Sequence, residues 1–421
     1  MKKFFSLIAL CAMVLVSCQK EADSVSVDKN SWKVAYTGGE YTIGVTANGE
    51  FTAQADQDWV TVAVGDAKVD FTVAEYDGAS SRTATITVTC GEAKATATVE
   101  QEAAPQYVSL GNPANCFLIN DGGYYYFDAT VIGNGQEGIL TGAHTTSATI
   151  APAAAKVVWD ENELISDVKF KDGKIYFKLE TRDGNAVIAA TDAADNILWS
   201  WHIWSVEEVK DIDFGAYKIM DRNVGAIGST AADEESAYGM YYQWGRKDPF
   251  SRTIGFGETG ILIDSEAANH TIANSIAHPD TWFGAEHGDN ANWLANAGDD
   301  QRNLWGSSNL NEDWLSSDYG HKTIYDPCPA GYVILSPKSV WDFTPENVDG
   351  GILINGQLFI PNASFIHAAG GGWWDPYADL WYASPAHWGD SNQQAFRVVP
   401  GDTHMNYGRC YGQPVRCMKL Q

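Results

Sequence analysis

The stretch RTATITVTC, Arg82–Cys90, decides the fold of the first part of the chain, because threonine alternates in it with apolar side chains. A period of two with threonine on one side is typical of a β-strand that has one face in water and one in a core. A Gly-Glu turn follows, and the stretch AKATATVE, Ala93–Glu100, alternates again. The two stretches predict an antiparallel hairpin. Cys90 shares the apolar face and is predicted to be a buried thiol.

Further short strands are predicted before this hairpin, in the runs GGEYTIGV, Gly38–Val45, and DWVTV, Asp58–Val62. Short strands at this spacing, separated by turn residues, are typical of a β-sandwich. We therefore predict a β-sandwich module over residues 24–103.

The same residues resemble a known family. Gly38-Gly39 stands before a strand, Asp58-Trp59-Val60 begins another, and Ser81–Ile86 and the closing Val99–Gln101 complete the pattern. Together they resemble the BACON domain, an immunoglobulin-like sandwich named for a proposed carbohydrate-binding role. The resemblance leaves two roles open for residues 24–103. The module is either a spacer, which we favour, or a sugar binder.

Residues 107–209 follow a short Ala/Pro linker and are again strand-like. The run VKFKDGKIYFKL, Val168–Leu179, predicts a hairpin in which Asp-Gly supplies the positive φ angles of a tight turn and the lysines lie opposite the apolar side chains. The run ILWSWHIW, Ile197–Trp204, has aromatic residues on both faces. It is either an aromatic platform for a sugar or a central strand buried on both sides. We favour the buried strand, with His202 as a hydrogen-bonded core residue, and predict a second β-sandwich module.

Residues 210–421 differ in kind from the rest of the chain. They hold nine of the 16 Trp between Trp282 and Trp388, are rich in Gly, Asn and Asp, and contain few alternating runs. Such a composition predicts long loops on a small regular scaffold.

Four motifs follow one another in this last part: DRNVG at Asp221–Gly225, YGMYYQWGR at Tyr238–Arg246, DPCPAGY at Asp326–Tyr332 and GQPVRC at Gly412–Cys417. Together they resemble the Fibrobacter succinogenes major paralogous domain, whose family is thought to share the C-type-lectin-like scaffold. The resemblance implies a disulfide between Cys328 and Cys417. Cys410 is extra to the pattern, and a pairing of Cys410 with Cys417 stays open. The expected fold is therefore mainly β, with two immunoglobulin-like sandwich modules followed by a loop-rich α+β C-type-lectin-like module.

The first residues are predicted to be a targeting segment. Residues 1–17 place two lysines before an apolar stretch of about a dozen residues, the layout of a secretory signal peptide. The sequence LVSC, Leu15–Cys18, resembles a bacterial lipobox, which implies that Cys18 carries the lipid that anchors the chain to a membrane. Lys and acidic residues directly after Cys18 resemble a surface-export signal of Bacteroidetes-type lipoproteins. We expect an outer-membrane lipoprotein that faces the cell exterior, with a periplasm-facing one as the alternative.

The overall charge excludes some partners. The chain has 27 basic and 54 acidic side chains, a formal net charge of −27. This excess opposes electrostatic attraction to nucleic acid or to an anionic lipid surface. With 45% hydrophobic residues the chain is not a disordered acidic one. We expect no nucleic-acid partner.

The sequence contains no motif of a serine hydrolase, a P-loop or a zinc protease, and no Cys-x-x-Cys pair for zinc. An oxygen-rich stretch at residues 286–300 would suit Ca²⁺, but its spacing matches no calcium loop. We therefore predict no catalytic residue, no metal site and no cofactor. Carboxylates are abundant, so a glycosidase pair stays open.

Sugar binding is the chemistry that the aromatic residues favour, because a pyranose stacks its C–H face on an exposed ring while polar side chains bind its hydroxyls. Gly/Pro-rich loops near residues 370–388 combine both kinds of side chain. The candidate ligand-binding residues are Trp373, Trp374, Asp375, Tyr377, Trp381, Tyr382 and Trp388. The alternative is that these rings form the core of the loop-rich module.

These observations predict a lipid-anchored, non-catalytic surface protein that binds a glycan or glycoprotein through its C-terminal module, as an adhesin does. One alternative is a structural or tip subunit of a surface or fimbrial assembly, with protein partners at the cell surface. The other is a glycan-degrading enzyme.

Overall fold

The protein is mainly β and divides into two compact units, Met1–Gln106 and Tyr107–Gln421. A computed structural model describes residues 21–133, 148–257, 260–285, 292–295, 304–306, 322–340, 342–371, 378, 380–386, 394–399 and 402–420. The predicted signal peptide, residues 1–17, and the predicted lipidation site Cys18 lie outside the described residues. No helix in the described ranges is long and apolar enough to cross a bilayer.

The smaller unit is a sandwich of two four-stranded sheets, ordered β1-β3-β6-β5 and β2-β8-β7-β4. Its strands are β1 (Val25–Val27), β2 (Ser31–Val34), β3 (Gly39–Ala47), β4 (Thr52–Ala55), β5 (Val60–Gly65), β6 (Lys68–Val73), β7 (Arg82–Cys90) and β8 (Ala93–Gln101). The hairpin of β7 and β8 and the alternation along β7 are confirmed, since Ile86 and Val88 are fully buried. Cys90 is a buried free thiol, also as predicted.

The larger unit begins with two further four-stranded sheets, β10-β16-β15-β12 and β13-β14-β11-β9. Their strands are β9 (Tyr107–Ser109), β10 (Cys116–Ile119), β11 (Gly123–Asp128), β12 (Ala154–Asp160), β13 (Ile165–Lys171), β14 (Lys174–Leu179), β15 (Gly184–Thr191) and β16 (Ile197–Ser205). Between the sheets, Phe127 packs on Trp201 with ring centroids 5.1 Å apart. The predicted Asp-Gly turn joins β13 to β14, with φ of 51° at Asp172 and 77° at Gly173.

The rest of the larger unit has small sheets joined by long connections, as the composition predicts. Its strands are β17 (Asp211–Phe214), β18 (Tyr217–Asn223), β19 (Tyr241–Gln243), β20 (Leu262–Asp264), β21 (Thr281–Phe283), β22 (Tyr332–Ile334), β23 (Pro345–Val348), β24 (Gly351–Ile354), β25 (Leu358–Pro361), β26 (Leu380–Ala386), β27 (Gln394–Val399), β28 (Asp402–Gly408), β29 (Gly412–Pro414) and β30 (Arg416–Lys419). The described helices are α1 (Ile272–Ala277) and the 3₁₀ segments Ala231–Ala237, Ala267–Asn269 and Pro337–Ser339.

Residues 107–209 and 210–421 share one hydrophobic core. The largest cluster of buried apolar side chains contains Trp201 and Trp204 from β16 together with Trp244, Trp305 and Trp381. The boundary that the sequence suggested near residue 209 therefore does not separate two cores. Residues 107–209 thus contain two sheets and also contribute to the core of the part that follows.

Strand β16 lies in the interior of its sheet and is buried on both faces from Trp199 onward, as predicted. His202 is a hydrogen-bonded core residue, since its Nε2 lies 2.9 Å from Oδ1 of Asn185. That oxygen can only accept, so Nε2 carries the proton and His202 donates. Burial lowers the pKa of His202 to about 3, which keeps the ring neutral at physiological pH.

Cys328 and Cys417 form a disulfide with their Cα atoms 6.0 Å apart, which confirms the pairing that the resemblance implied. The alternative pairing of Cys410 with Cys417 is wrong, because Cys410 is a buried free thiol. Next to the bridge, the Asp326 carboxylate accepts hydrogen bonds from the Cys328 amide at 2.8 Å and from Nζ of the buried Lys322 at 2.9 Å. The motif that contains Cys328 therefore has a structural role, since the disulfide and the hydrogen bonds of Asp326 hold it in place.

Removal of the disulfide should destabilise the larger unit. The bridge closes a sequence separation of 89 residues, and a loop of this length is worth about 4 kcal/mol in the chain-entropy model. We expect the double variant Cys328→Ala/Cys417→Ala to lose about this much free energy of unfolding in urea titrations. Cys410→Ala is the control, since it removes a buried thiol from the same unit and opens no loop. Equal losses in the two variants would contradict the prediction.

His202 should make the larger unit sensitive to acid. In the unfolded chain His202 binds a proton below about pH 6.5, whereas the folded pKa is about 3. The unfolded state therefore takes up the proton first, and His202 lowers the stability as the pH falls from 6.5 towards 3. We expect this contribution to be about 1 kcal/mol per pH unit. In His202→Gln, which keeps a donor for Asn185, the free energy of unfolding should fall less steeply between pH 6.5 and 4.5. Parallel slopes would refute this.

Candidate functional site

The motifs in the last part of the chain build scaffold rather than an exposed site. Gln243 is fully buried, and its Nε2 donates to the carbonyls of Phe283 at 2.9 Å and Cys410 at 3.0 Å. The buried guanidinium of Arg246 donates to Oε1 of Gln243 at 3.0 Å. Arg416 joins two motifs, because its Nε donates to Oδ1 of Asn223 at 2.9 Å. These motif side chains hold distant segments together.

Six buried tryptophans, some in strands and some in loops, have the same role. Their rings are buried and each indole N–H donates to a backbone carbonyl of another segment. The donor and acceptor pairs are Trp204 to Ala226 (3.2 Å), Trp244 to Tyr382 (3.0 Å), Trp282 to Ala368 (3.1 Å), Trp293 to Trp244 (2.8 Å), Trp305 to Arg246 (3.2 Å) and Trp381 to Tyr242 (3.0 Å). A buried carbonyl without a partner is unfavourable, so each indole fills volume and satisfies an acceptor at once.

Two of the predicted ligand-binding residues are therefore core residues. Trp381 and Tyr382 are both fully buried in β26, and neither offers a ring face to a ligand. Successive side chains of a strand point to opposite sides, and here both sides are covered. Trp381 packs in the largest core cluster, while Leu380 and Tyr382 pack in a second one with Val333 and Met418. The prediction that Trp381 and Tyr382 bind a ligand is wrong.

The other predicted ligand-binding residues, Trp373, Trp374, Asp375, Tyr377 and Trp388, lie outside the described residues, as does most of the oxygen-rich stretch at residues 286–300. They stay predictions.

A cleft of about 240 Å³, which we call the Tyr238 cleft, opens in the larger unit. Its walls come from the end of β12, from β15, from the loop after β18, from the 3₁₀ segment Ala231–Ala237 and from the residues after Phe250. The side chains that matter for its chemistry are Glu161, Asn185, Glu235, Tyr238, Ser251, Arg252 and Thr253. Residues from both sides of the boundary near residue 209 thus form one site.

The carboxylate of Glu161 is held by a network of donors. Glu161 is 8% exposed, and its Oε1 accepts hydrogen bonds from the Ser251 hydroxyl and, at 2.7 Å, from the Thr253 hydroxyl. Its Oε2 accepts from Nδ2 of Asn185 at 2.9 Å. Asn185 also binds His202 at the back of the site. The network fixes the position of a negative charge in the wall of the cleft.

The rim of the cleft combines an aromatic ring with a cation. Tyr238 is half-buried, and the Arg252 guanidinium lies 5.4 Å from the centroid of its ring. Arg252 also pairs with Glu235 at 3.2 Å, and the two side chains are 37% and 68% exposed. The pair is therefore accessible, and in water it contributes little to stability. A ring face, a guanidinium and carboxylates within one concavity can bind a polyhydroxylated ligand.

Two glycines allow the loops around Tyr238 to cross closely. Gly239 has φ of 77°, and a Cβ there would lie 2.6 Å from the carbonyl oxygen of Val224. Gly225 has φ of 81°, and a Cβ there would lie 2.4 Å from Cγ of Met240. Both positions need glycine. The Asn223 amide also donates to the Tyr238 carbonyl at 2.9 Å.

Sequence reasoning missed this cleft. Tyr238 and Gly239 stand in a motif that the sequence singled out, yet nothing local marks Tyr238 as more exposed than Tyr241 or Tyr242, which are fully buried. Glu161 and Arg252 carry no motif at all. The available signal was the pair of glycines, because Gly225 ends one motif and Gly239 stands near the start of the next, where a close crossing of loops needs glycine.

Residues 49–102 match the BACON family, described as "BACON: Putative binding domain, N-terminal". The match confirms the resemblance of the smaller unit to that family. It covers less than half of the chain and applies to this part alone. No curated protein matches the chain.

Solved structures with similar parts include a Bacteroides ovatus GH5 xyloglucanase in complex with a XXXG heptasaccharide, at 24% identity and a TM-score of 0.19 over 22% of each chain. Others are a protein from Bacteroides thetaiotaomicron, at 21% identity and a TM-score of 0.18 over 22% of this chain and 98% of that one, and the titin fragment I67–I69, at 12% identity and a TM-score of 0.21 over 46% and 68%. The chain spans less than a quarter of the xyloglucanase's length. TM-scores this low carry no inference about function.

Proposed function

We propose that this chain is an exported, lipid-anchored and non-catalytic protein that binds a glycan or glycoprotein, and that the Tyr238 cleft is where it binds. The observation that carries the proposal is the combination of the half-buried Tyr238 ring, the accessible Arg252 and the fixed Glu161 carboxylate in one cleft. Its volume of about 240 Å³ lies just below the range of typical small-molecule pockets, which suits a single sugar residue of a larger glycan.

Each group in the cleft has a counterpart on a sugar. The Tyr238 ring can stack on the apolar C–H face of a pyranose, and the Arg252 guanidinium can donate to ring hydroxyls. Ser251 and Thr253 also line the cleft, and their hydroxyls donate to the Glu161 carboxylate and hold it in place for a ligand hydroxyl. This arrangement orients a ligand without a group that has to change its protonation state, which is why we propose binding and not hydrolysis.

The finer fold assignment belongs to the same proposal. We infer that residues 210–421 are a major paralogous domain on a C-type-lectin-like scaffold. The motif residues support this, because Asn223, Gln243 and Arg416 make buried contacts between distant segments. We assign the BACON-like unit, residues 24–103, to a spacer role, and place the ligand on the larger unit.

A glycan array tests the proposal with the chain from residue 19 onward, which keeps both compact units. We expect the double variant Tyr238→Ala/Arg252→Ala to lose binding by about tenfold or more, because a ring contact and a charged hydrogen bond are each worth about 1 kcal/mol. Arg182→Ala is the matched control: Arg182 is 43% exposed and pairs with Glu207, but it does not line the cleft.

Three results would decide against the proposal. Unchanged binding in the double variant would remove the cleft as the site. Binding of no glycan, together with capture of a partner subunit, would favour the structural or tip role. Release of reducing ends from any bound glycan would show that the protein is an enzyme.

The lipid anchor needs a separate test. We expect the full chain to fractionate with outer membranes and to be cleaved by protease added to intact cells. Cys18→Ser should remain unlipidated, because a hydroxyl does not replace the thiol that carries the lipid. Cys11→Ser, within the apolar stretch, is the control and should behave as the wild type. Membrane association that persists unchanged in Cys18→Ser would overturn the anchor, and protection from protease would place the chain on the periplasmic side.

A further inference from the structure

The sheet β13-β14-β11-β9 carries an unusual row of side chains on the face opposite the core. Its inward side chains, among them Phe127, Ile175 and Phe177, are buried. The outward strand positions, which register brings side by side, are Tyr107, Ser109, Tyr124, Tyr126, Asp128, Ser166, Lys169, Lys171, Lys174, Tyr176 and Lys178. We call this surface the Tyr–Lys face.

The four tyrosines form one continuous platform. Tyr107 lies 5.4 Å from Tyr124 and 5.0 Å from Tyr176, and Tyr126 lies 5.4 Å from Tyr176, between ring centroids. Each of the four is partly exposed. Tyr107 stands edge-on to Tyr124 and Tyr176, at interplanar angles of 70° and 84°. The rings come from three strands, so they suit a ligand that lies across the sheet rather than one enclosed in a pocket.

The lysines lie over this platform. Nζ of Lys169 is 5.0 Å from the Tyr107 ring centroid, and Nζ of Lys174 is 4.7 Å from that of Tyr126. Lys171 stands directly opposite Lys174 in the register, and like charges in such a cross-strand pair are destabilising. A stabilising role alone does not account for that pair.

The charge of the face is opposite to that of the chain. The chain has 54 acidic and 27 basic side chains, but the outward side of the strands carries four lysines against two carboxylates, Asp128 and the exposed Asp167 of the β13 bulge, which lies near Lys178. Glu180, just after β14, pairs with Lys178 at 2.6 Å at one end of the face. Asp128 stands opposite Lys174 at the other end. Lys171 lies in the same row as Lys174 and Asp128, and Lys169 lies beside Tyr176, between the two ends.

Solubility does not require this composition, as the smaller unit shows. The outward positions of β7 are Thr83, Thr85, Thr87 and Thr89. Threonine suits an exposed sheet face well. Partly exposed rings with lysines over them are instead typical of surfaces that recognise a partner.

We propose that the Tyr–Lys face binds an anionic polysaccharide, with the tyrosine rings against the C–H faces of its sugars and the lysine ammonium groups on its carboxylate or sulfate groups. The face is distinct from the Tyr238 cleft and the inference does not depend on it. A single polymer chain contacts only the narrow lysine-rich strip. A bilayer or a nucleic-acid duplex is broader, and the net charge of −27 of the whole chain opposes its approach.

Affinity electrophoresis of the chain from residue 19 onward tests the proposal, with dextran sulfate, polygalacturonate and neutral dextran in the gel. We expect the two anionic polymers to retard the protein and neutral dextran to leave it unretarded. The retardation should weaken as salt is added, since lysine contacts to an anionic chain are screened.

Two pairs of substitutions assign the effect to the face. Tyr124→Thr/Tyr176→Thr gives the face the threonines that β7 carries, and Lys169→Gln/Lys171→Gln removes two charges. We expect each pair to weaken binding about tenfold, with thermal unfolding confirming that the variants fold. Tyr238→Ala/Arg252→Ala should bind the anionic polymers as the wild type does, so that failure of the cleft and failure of the face are told apart.

Several outcomes would overturn the inference. Equal retardation by dextran and dextran sulfate would remove the charge recognition. Full binding in both substitution pairs would place the site elsewhere. If neither anionic polymer retards the protein, the ligand class is rejected. Stronger binding to phosphatidylserine vesicles through the same side chains would identify a lipid surface as the occupant.

Discussion

The larger unit depends on strand β16 being buried on both faces. On one face Trp201 packs on Phe127 within the sandwich. On the other, the Ser200 hydroxyl donates to Asp248 at 2.6 Å, and the Trp204 indole donates to the carbonyl of Ala226 at 3.2 Å. Ser200 therefore meets a buried ion pair, since Nζ of Lys247 lies 2.6 Å from the same Asp248 carboxylate. A strand with two buried faces cannot be released from either partner without exposing large rings and a buried charge, so the sandwich and the loop-rich part form one unit.

The tryptophans explain how a part of the chain with little regular structure is stable. Strands and helices satisfy their own backbone groups, but irregular segments leave carbonyls that need donors. Trp244, Trp293 and Trp305 supply such donors where these segments meet. The large rings also bury apolar area that short elements would not. The Trp excess therefore reports the construction of the loop-rich part, and only in the predicted loop residues 373, 374 and 388 does it stay a prediction about ligands.

Local sequence patterns correctly predicted the features that depend on residues adjacent in the chain. Alternation predicted the β7–β8 hairpin, the Asp-Gly pair predicted the β13–β14 turn, and the two-sided aromatic run predicted β16. The shared core and the Tyr238 cleft could not be predicted in this way, because they join Glu161 to Arg252 and residues on either side of position 209. Exposure of a given ring is decided by such distant contacts, which is why Trp381 is buried although the sequence predicted it to bind a ligand.

The net negative charge of the chain is compatible with anion binding at the Tyr–Lys face, because dissolved salt limits electrostatic interactions to a short range. The screening length is about 8 Å at physiological ionic strength, so a ligand lying on the face responds mainly to the lysines within that distance. The carboxylates elsewhere on the chain therefore have little effect on such a ligand, whereas a broad polyanionic surface comes within reach of them. Lysines placed over aromatic rings also keep part of their attraction in water, since the ring quadrupole holds the ammonium group at close range. A net negative chain can thus discriminate by shape, accepting a thin anionic polymer where it opposes an extended anionic surface.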